Sequence, residues 1–209
     1  MSSYTLYYFP GAASMPVHWL LIELGVDYSL EKIDLRKDEQ HSPQYLAINP
    51  AGKVPTLLID GTPCYGSVAL LIGLTDRYPD AKFAPLPTDK ARIPWLALLQ
   101  YLTTTVQPTL GQWFYAERQL PDQADRLRAM AQEQLDTAWQ RLDDQLSDGR
   151  PYMMGEQFTV LDMFAMTLMR WSRRLPKPAN TWPNLARYMA HLSQRVGFVR
   201  VAEIEQWED

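Results

Sequence analysis

The chain has 209 residues, a length for one large domain or two small ones, and 46% hydrophobic against 21% charged residues excludes a disordered chain. Lys and Arg number 20 against 24 Asp and Glu, a net charge of −4 that argues against nucleic acid as the main partner. One cysteine excludes an internal disulfide, no Cys/His cluster has zinc spacing, and no apolar run approaches the ~20 residues of a bilayer span. With no basic-then-apolar leader at the start, the expectation is a cytoplasmic protein with no metal and no membrane association.

Thr5 to Phe9 is rich in strand formers and ends at the turn signal Pro10-Gly11. From Ser14, an N-cap candidate, the period becomes helical and runs to Gly25 as a C-terminal stop. Tyr28 to Ile33 reads as a second strand, making a right-handed crossover unit with parallel strands. After a short helical or irregular piece, His41 to Ile48, comes Gly52-Lys53-Val54-Pro55 and the run Thr56 to Ile59. Asp60-Gly61 is a two-residue hairpin signal returning the chain through Thr62 to Tyr65. Pro55 lacks an N–H and so belongs at the first residue of its strand, beside a cleft. If its peptide bond is cis, Val54 turns its N–H and C=O outward toward an extended, peptide-like ligand. Gly66-Ser67 then opens an apolar helix to about Tyr78, so the first 78 residues order as βαβ-ββα, the shape of a thioredoxin-like α+β layer.

Residues 79–88 hold three prolines and break every periodicity, the best linker in the chain. Residues 89–209 read as all-α. A long helix, interrupted near Pro108 and Gly111, runs to Arg118. Asp122 to Leu146 carries Leu127, Met130, Leu135, Ala138, Trp139 and Leu142 on one face. Phe158 to Leu175 is the central buried helix, and Pro183 to Val196 and Phe198 to Gln206 complete the half. Thr159-x-x-Asp162 has capping-box spacing, so the carboxylate is expected to cap its helix rather than to do chemistry.

This layout resembles the cytosolic glutathione S-transferases. The resemblance is carried by Leu6-Tyr7-Tyr8-Phe9-Pro10-Gly11, Lys53-Val54-Pro55, Gly66-Ser67-Val68-Ala69, Phe158-Thr159-Val160-Leu161-Asp162 and Pro183-Asn184-Leu185, in that order. The nearest sub-pattern is bacterial and beta-like, with Tyr-Tyr-x-Pro-Gly-Ala followed by a helix bearing His18. The resemblance implies a glutathione-dependent transferase that conjugates the tripeptide to small hydrophobic electrophiles, acting in detoxification as a homodimer. It also implies that Val54 pairs with the cysteinyl backbone, with Pro55 holding its geometry. Lys53 would contact the glycyl carboxylate, and the γ-glutamyl carboxylate would sit on the helix that Gly66 and Ser67 begin. Ser67 is otherwise only an N-cap, and Lys53 a solvated lysine.

Where the family's serine and the sub-pattern's cysteine would stand, this chain has Ala12 and Ala13. Tyr8 matches the hydroxyl donor of the tyrosine-using members, or else packs. Ser14, one step further, reaches the sulfur or only caps the helix. The helix that starts there adds its N-terminus. Gly66 replaces the usual acid or amide, and Thr104 a histidine expected in the first long helix. His18 reads as a satisfied partner of the loop, and Cys64 as an inert thiol without a C-x-x-C partner. Phe9, Trp113, Phe114, Tyr115 and Trp171 are either core or the lining of an apolar second-substrate pocket between the domains. The missing side chains leave two further readings open. One is a binding module for glutathione, an apolar ligand or a protein partner; the other is a glutathione-dependent peroxidase or reductase.

Overall fold

In the computed structural model, which describes residues 3–207, strand formers at the start give β1 (Tyr4–Tyr8), whose alternate residues Tyr4 and Leu6 are buried. A turn over Pro10–Ser14 leads into α1 (Met15–Leu24), closed by Gly25, and then β2 (Ser29–Lys32). The one-turn α2 (Pro43–Leu46) precedes the hairpin β3 (Thr56–Ile59) and β4 (Thr62–Tyr65), and α3 (Ser67–Arg77) follows. Asp60 and Gly61 both have positive φ, at 51° and 82°, the backbone that a tight two-residue hairpin requires and that an Asp-Gly pair supplies.

The four strands order β2-β1-β3-β4, with β1 parallel to β2 and antiparallel to β3. This is the thioredoxin-like α+β sheet expected from the order of elements. α1 is apolar almost all round, and Met15 through Leu21 are buried, because the helix packs on α3 and on the last helix of the chain.

A helical stretch follows. α4 (Arg92–Tyr101) passes through a π-helical turn at Leu102–Val106 into α5 (Gln107–Phe114), and α6 (Ala116–Gln119) follows. The expected interruption thus falls just before Pro108, as a widened turn and not a break. α7 (Ala124–Gln145) buries Ala131, Leu135, Ala138, Trp139 and Leu142; Met130, assigned to that face from the sequence, is exposed. α8 (Val160–Trp171) is the buried central helix, and α9 (Pro183–Ser193) and α10 (Val196–Glu205) close the chain.

The chain divides into two compact units, Met1–Ala84 with Gln194–Asp209, and Pro85–Ser193. The first division falls inside the proline-rich stretch 79–88. The second departs from an all-α half running to the end: α10 belongs with the sheet, because it packs along α1. Trp19 meets Phe198 edge-on at 5.2 Å, and Arg195 bonds Glu23 at 3.2 Å.

In the helical unit Thr159 is the N-cap of α8, accepting from the Leu161 N–H, while Asp162 accepts from the Thr159 N–H at 2.8 Å. Asp162 does more than cap. Its other oxygen accepts from the Met153 N–H and the Tyr188 hydroxyl, both at 2.8 Å, and burial pushes its pKa up to about 6. Among the described residues no helix is long and apolar enough to cross a membrane.

Candidate functional site

The register of the sheet gathers the candidate residues of the first unit at one end. Tyr7 pairs with Thr56, and Thr56 with Tyr65. One step further along, Tyr8 comes beside Pro55, and Gly66-Ser67 leaves β4 at the same end. Both α1 and α3 begin there.

The Val54–Pro55 bond is cis. Among the described residues, neither the N–H nor the C=O of Val54 has a hydrogen-bond partner, so both can pair with an extended main chain. What precedes it is held firmly. The Lys53 carbonyl accepts from the Tyr45 hydroxyl and from Asn49 Nδ2, each at 2.8 Å, while the Lys53 side chain is exposed. With its one proton given to Lys53, the Tyr45 oxygen accepts from the Thr56 hydroxyl, which in turn accepts from Asn49. Tyr45, Asn49 and Thr56 are all buried.

At the start of α3 the N-cap is Gly66, with φ of 91°, and Ser67 is the first helical residue. The reading of Ser67 as an N-cap is corrected accordingly. Its hydroxyl donates to the Ala13 carbonyl at 2.7 Å, tying the two helix starts together and leaving its lone pairs to accept. The N–H groups of Ala13 and Ser14 have no partner among the described residues. Two helix N-termini therefore present free donors at the sheet end, a setting for anionic groups.

Ser14 does not cap α1 through its side chain. Its hydroxyl is fully buried and turned back to Phe9, accepting from the Phe9 N–H and donating to the Phe9 carbonyl, both at 3.2 Å. A group so committed clamps the turn and is withdrawn from any ligand at the surface. Tyr8 is half-buried, with its ring 6.0 Å from that of His18. Burial, and secondarily the Glu205 carboxylate, push the Tyr8 phenol up from its usual range, so its O–H stays a donor.

His18 is fully buried and satisfied on both nitrogens. Nδ1 donates to Glu205 Oε1 at 2.8 Å, and Nε2 meets the Tyr28 hydroxyl at 3.0 Å. The other Glu205 oxygen accepts from the Gly11 N–H at 2.8 Å. Cys64 lies in β4, partly buried. Of the aromatic set, Phe9 belongs to the first unit, under the Arg36 guanidinium at 5.8 Å. Trp113, Phe114, Tyr115 and Trp171 belong to the second. Trp113 packs edge-on against Phe114 at 5.2 Å, and Tyr115 is 58% exposed.

Sequence reasoning missed Asn49, Tyr45, Tyr28 and Glu205. Asn49 carried a signal: in Asn49-Pro50-Ala51-Gly52 its side chain accepts from the N–H two residues on, at 3.0 Å, as turn asparagines do. Glu205 carried none, since its partners are 187 and 194 residues away.

Comparison with known proteins gives this arrangement a lineage. The profile of the family described as "Glutathione S-transferase, N-terminal domain" matches residues 12–77, and that of "Glutathione S-transferase, C-terminal domain" matches residues 121–191. The chain is 29% identical over 192 residues to glutathione S-transferase GstA of Escherichia coli O157:H7, covering 91% of this chain and 92% of that protein. It is 32% identical over 177 residues to glutathione S-transferase 1 of Schizosaccharomyces pombe, covering 78% and 73%. Among solved structures, a glutathione transferase homologue from Sulfitobacter with bound glutathione superposes with a TM-score of 0.89 at 26% identity, covering 99% of this chain and all of that one. A sphingomonad glutathione S-transferase complexed with glutathione gives 0.86 at 27% identity, covering 98% and 100%.

Proposed function

The chain belongs to the glutathione S-transferase family, and from that premise we propose that it binds glutathione at the sheet end and adds its sulfur to small hydrophobic electrophiles. The observation that carries the reading is Val54, whose unpaired N–H and C=O stand beside a cis proline and two helix N-termini. The cysteinyl main chain of glutathione pairs with Val54 as an added strand. The γ-glutamyl carboxylate lies on the amides of α3 with the Ser67 hydroxyl, and Lys53 meets the glycyl carboxylate as a point charge.

A free thiol has a pKa near ~8.5, and lowering it by about two pH units stabilises the thiolate by roughly 2.7 kcal/mol. The Tyr8 hydroxyl and the amides of Ala13 and Ser14 are the proposed donors to the sulfur. Ser14 contributes by fixing the turn, not by touching the thiol. Phe9, in the sheet unit that carries Val54 and Tyr8, is the proposed aromatic contact of the electrophile. The active form is proposed to be a cytoplasmic homodimer, for which exposed Tyr65 on β4 and Ile93 on α4 supply apolar surface.

Retention on immobilised glutathione, followed by conjugation of a chloro-nitrobenzene, tests the reading. Retention with turnover supports it, and failure of retention overturns it. A second reading, glutathione binding without turnover, is favoured by Ala12-Ala13 together with the committed Ser14 hydroxyl. Retention without turnover would establish that one instead.

A further inference from the structure

The turn between β1 and α1 carries the donors proposed for the sulfur, yet little within it holds it. Its local bonds are Ala12 N–H to Phe9 C=O and Met15 N–H to Ala12 C=O, with Ser14 folded back on Phe9. From outside the turn, the Ser67 hydroxyl on α3 holds the Ala13 carbonyl, and a further anchor comes from the last turn of α10. Glu205, whose side chain is fully buried, accepts from the Gly11 N–H through one oxygen and from His18 Nδ1 through the other. His18, on α1, is fixed in turn by the Tyr28 hydroxyl, and its ring stands edge-on to Tyr28 at 5.3 Å.

A buried carboxylate is tolerated only with its lone pairs occupied, and these bonds fill both oxygens. The helix that carries it is seated for the purpose. Gly197 lies so close to α1 that a Cβ there would stand 2.5 Å from Glu23 Oε1 and 2.7 Å from Trp19 Nε1. The docking of α10 on α1 therefore sets how deeply Glu205 reaches.

We infer that Glu205 is a positioning residue that latches the β1–α1 turn from the far end of the chain, with His18 and Tyr28 holding its carboxylate in place. A carboxylate can accept from Gly11 and His18 at once, one bond on each oxygen. A carboxamide has a single acceptor oxygen and no charge, so it either forfeits one of the two bonds or turns its NH2 to the other His18 tautomer, and in both cases the charge-assisted bond to Gly11 is lost. The effect on glutathione rests on the function proposed above, whereas the effect on the turn does not.

Amide exchange followed by NMR on the full chain tests the latch. In the parent, the Gly11 amide lies outside any helix or strand and should still exchange at least about tenfold more slowly than an unstructured amide. Glu205→Gln should speed Gly11 exchange about tenfold, the scale of one hydrogen bond to a charged group, while Leu57 in β3 changes little. Glu203→Gln, on the exposed face of α10, should leave Gly11 unchanged. If Glu205→Gln fails to fold, Tyr28→Phe takes its place, and Gly11 exchange about threefold faster is expected. An unprotected Gly11 in the parent, or unaltered Gly11 exchange in the folded variant, overturns the inference. Calorimetry with glutathione then separates the two claims. A parent that does not bind sinks the proposed function but not the latch. A parent that binds should lose about tenfold in affinity on Glu205→Gln, and equal affinities would show that the latch does not serve the site.

Discussion

Asn49 Nδ2 donates to the Lys53 carbonyl at 2.8 Å, so the peptide leading into Val54 is gripped from inside the sheet unit before any ligand arrives. Asn49 also supports Thr56 and the turn at Ala51. Asn49→Ala removes all three bonds from a buried site. It should cost about 2 kcal/mol of stability by urea melts and weaken glutathione binding about tenfold by calorimetry. Full affinity in a folded variant would show that Val54 needs no such support.

Tyr8→Phe deletes one O–H donor without altering packing. The bound thiol should titrate about one pH unit higher, read from thiolate absorbance, and the conjugation rate at neutral pH should fall about tenfold. The parent's phenol is itself raised by burial and by the Glu205 charge, so it remains a donor wherever the thiol ionises. Ser14→Ala should instead lower the melting temperature, because its hydroxyl serves Phe9. An unchanged thiol titration in Tyr8→Phe would leave the backbone amides as the activating groups.

Asp162→Ala should cost about 3 kcal/mol in urea melts, above the usual 1–2 for a lost N-cap. The excess arises because the Met153 N–H and the Tyr188 hydroxyl lose their buried acceptor along with the Thr159 N–H. A loss under about 1 kcal/mol would reduce this residue to an ordinary cap.

The same carboxyl gives a pH dependence of definite sign. Its pKa is raised from 3.8 to about 6 by burial, so between those values the folded chain holds a proton that the unfolded chain has released. The associated stability is fully present below 3.8 and is lost as pH rises through about 6. The unfolding free-energy gap between parent and Asp162→Ala should therefore narrow between about pH 4 and pH 7. A widening gap would mean that the hydrogen bonds to the carboxylate outweigh its desolvation.

Gly197→Ala places a methyl against Trp19, which is fully buried, and against Glu23, which is held by Arg195. Overpacking of this kind costs about 1–3 kcal/mol. Differential scanning calorimetry should show it as a lowered transition, and an unaltered melt would show that α10 has room to shift on α1.

Elements whose signals lie within a few residues were legible in the sequence. The succession of strands and helices followed from the period change at Ser14 and from Asp60-Gly61, and the cap at Thr159 and Asp162 from its spacing. Pro55 marked the entry to β3. The separate placements of the Ser14 and Tyr8 hydroxyls were not legible, because only the folded turn sends Ser14 back to Phe9 and leaves Tyr8 half-buried beside His18. The allegiance of α10 was equally hidden. Its sequence is simply amphipathic, and only Trp19, Phe198 and Gly197 in contact reveal which partner it covers. Glu205 looked like any acid near a helix end.

Because α10 completes the sheet unit, the order of synthesis and the order of assembly disagree. All four strands emerge from the ribosome long before Val196–Glu205 is made, so α1 must wait with an apolar face uncovered while the helical unit is translated. A nascent chain stalled before residue 196 would hold a sheet with no lid over Trp19, a natural target for a chaperone and a state in which Gly11 still lacks its Glu205 partner.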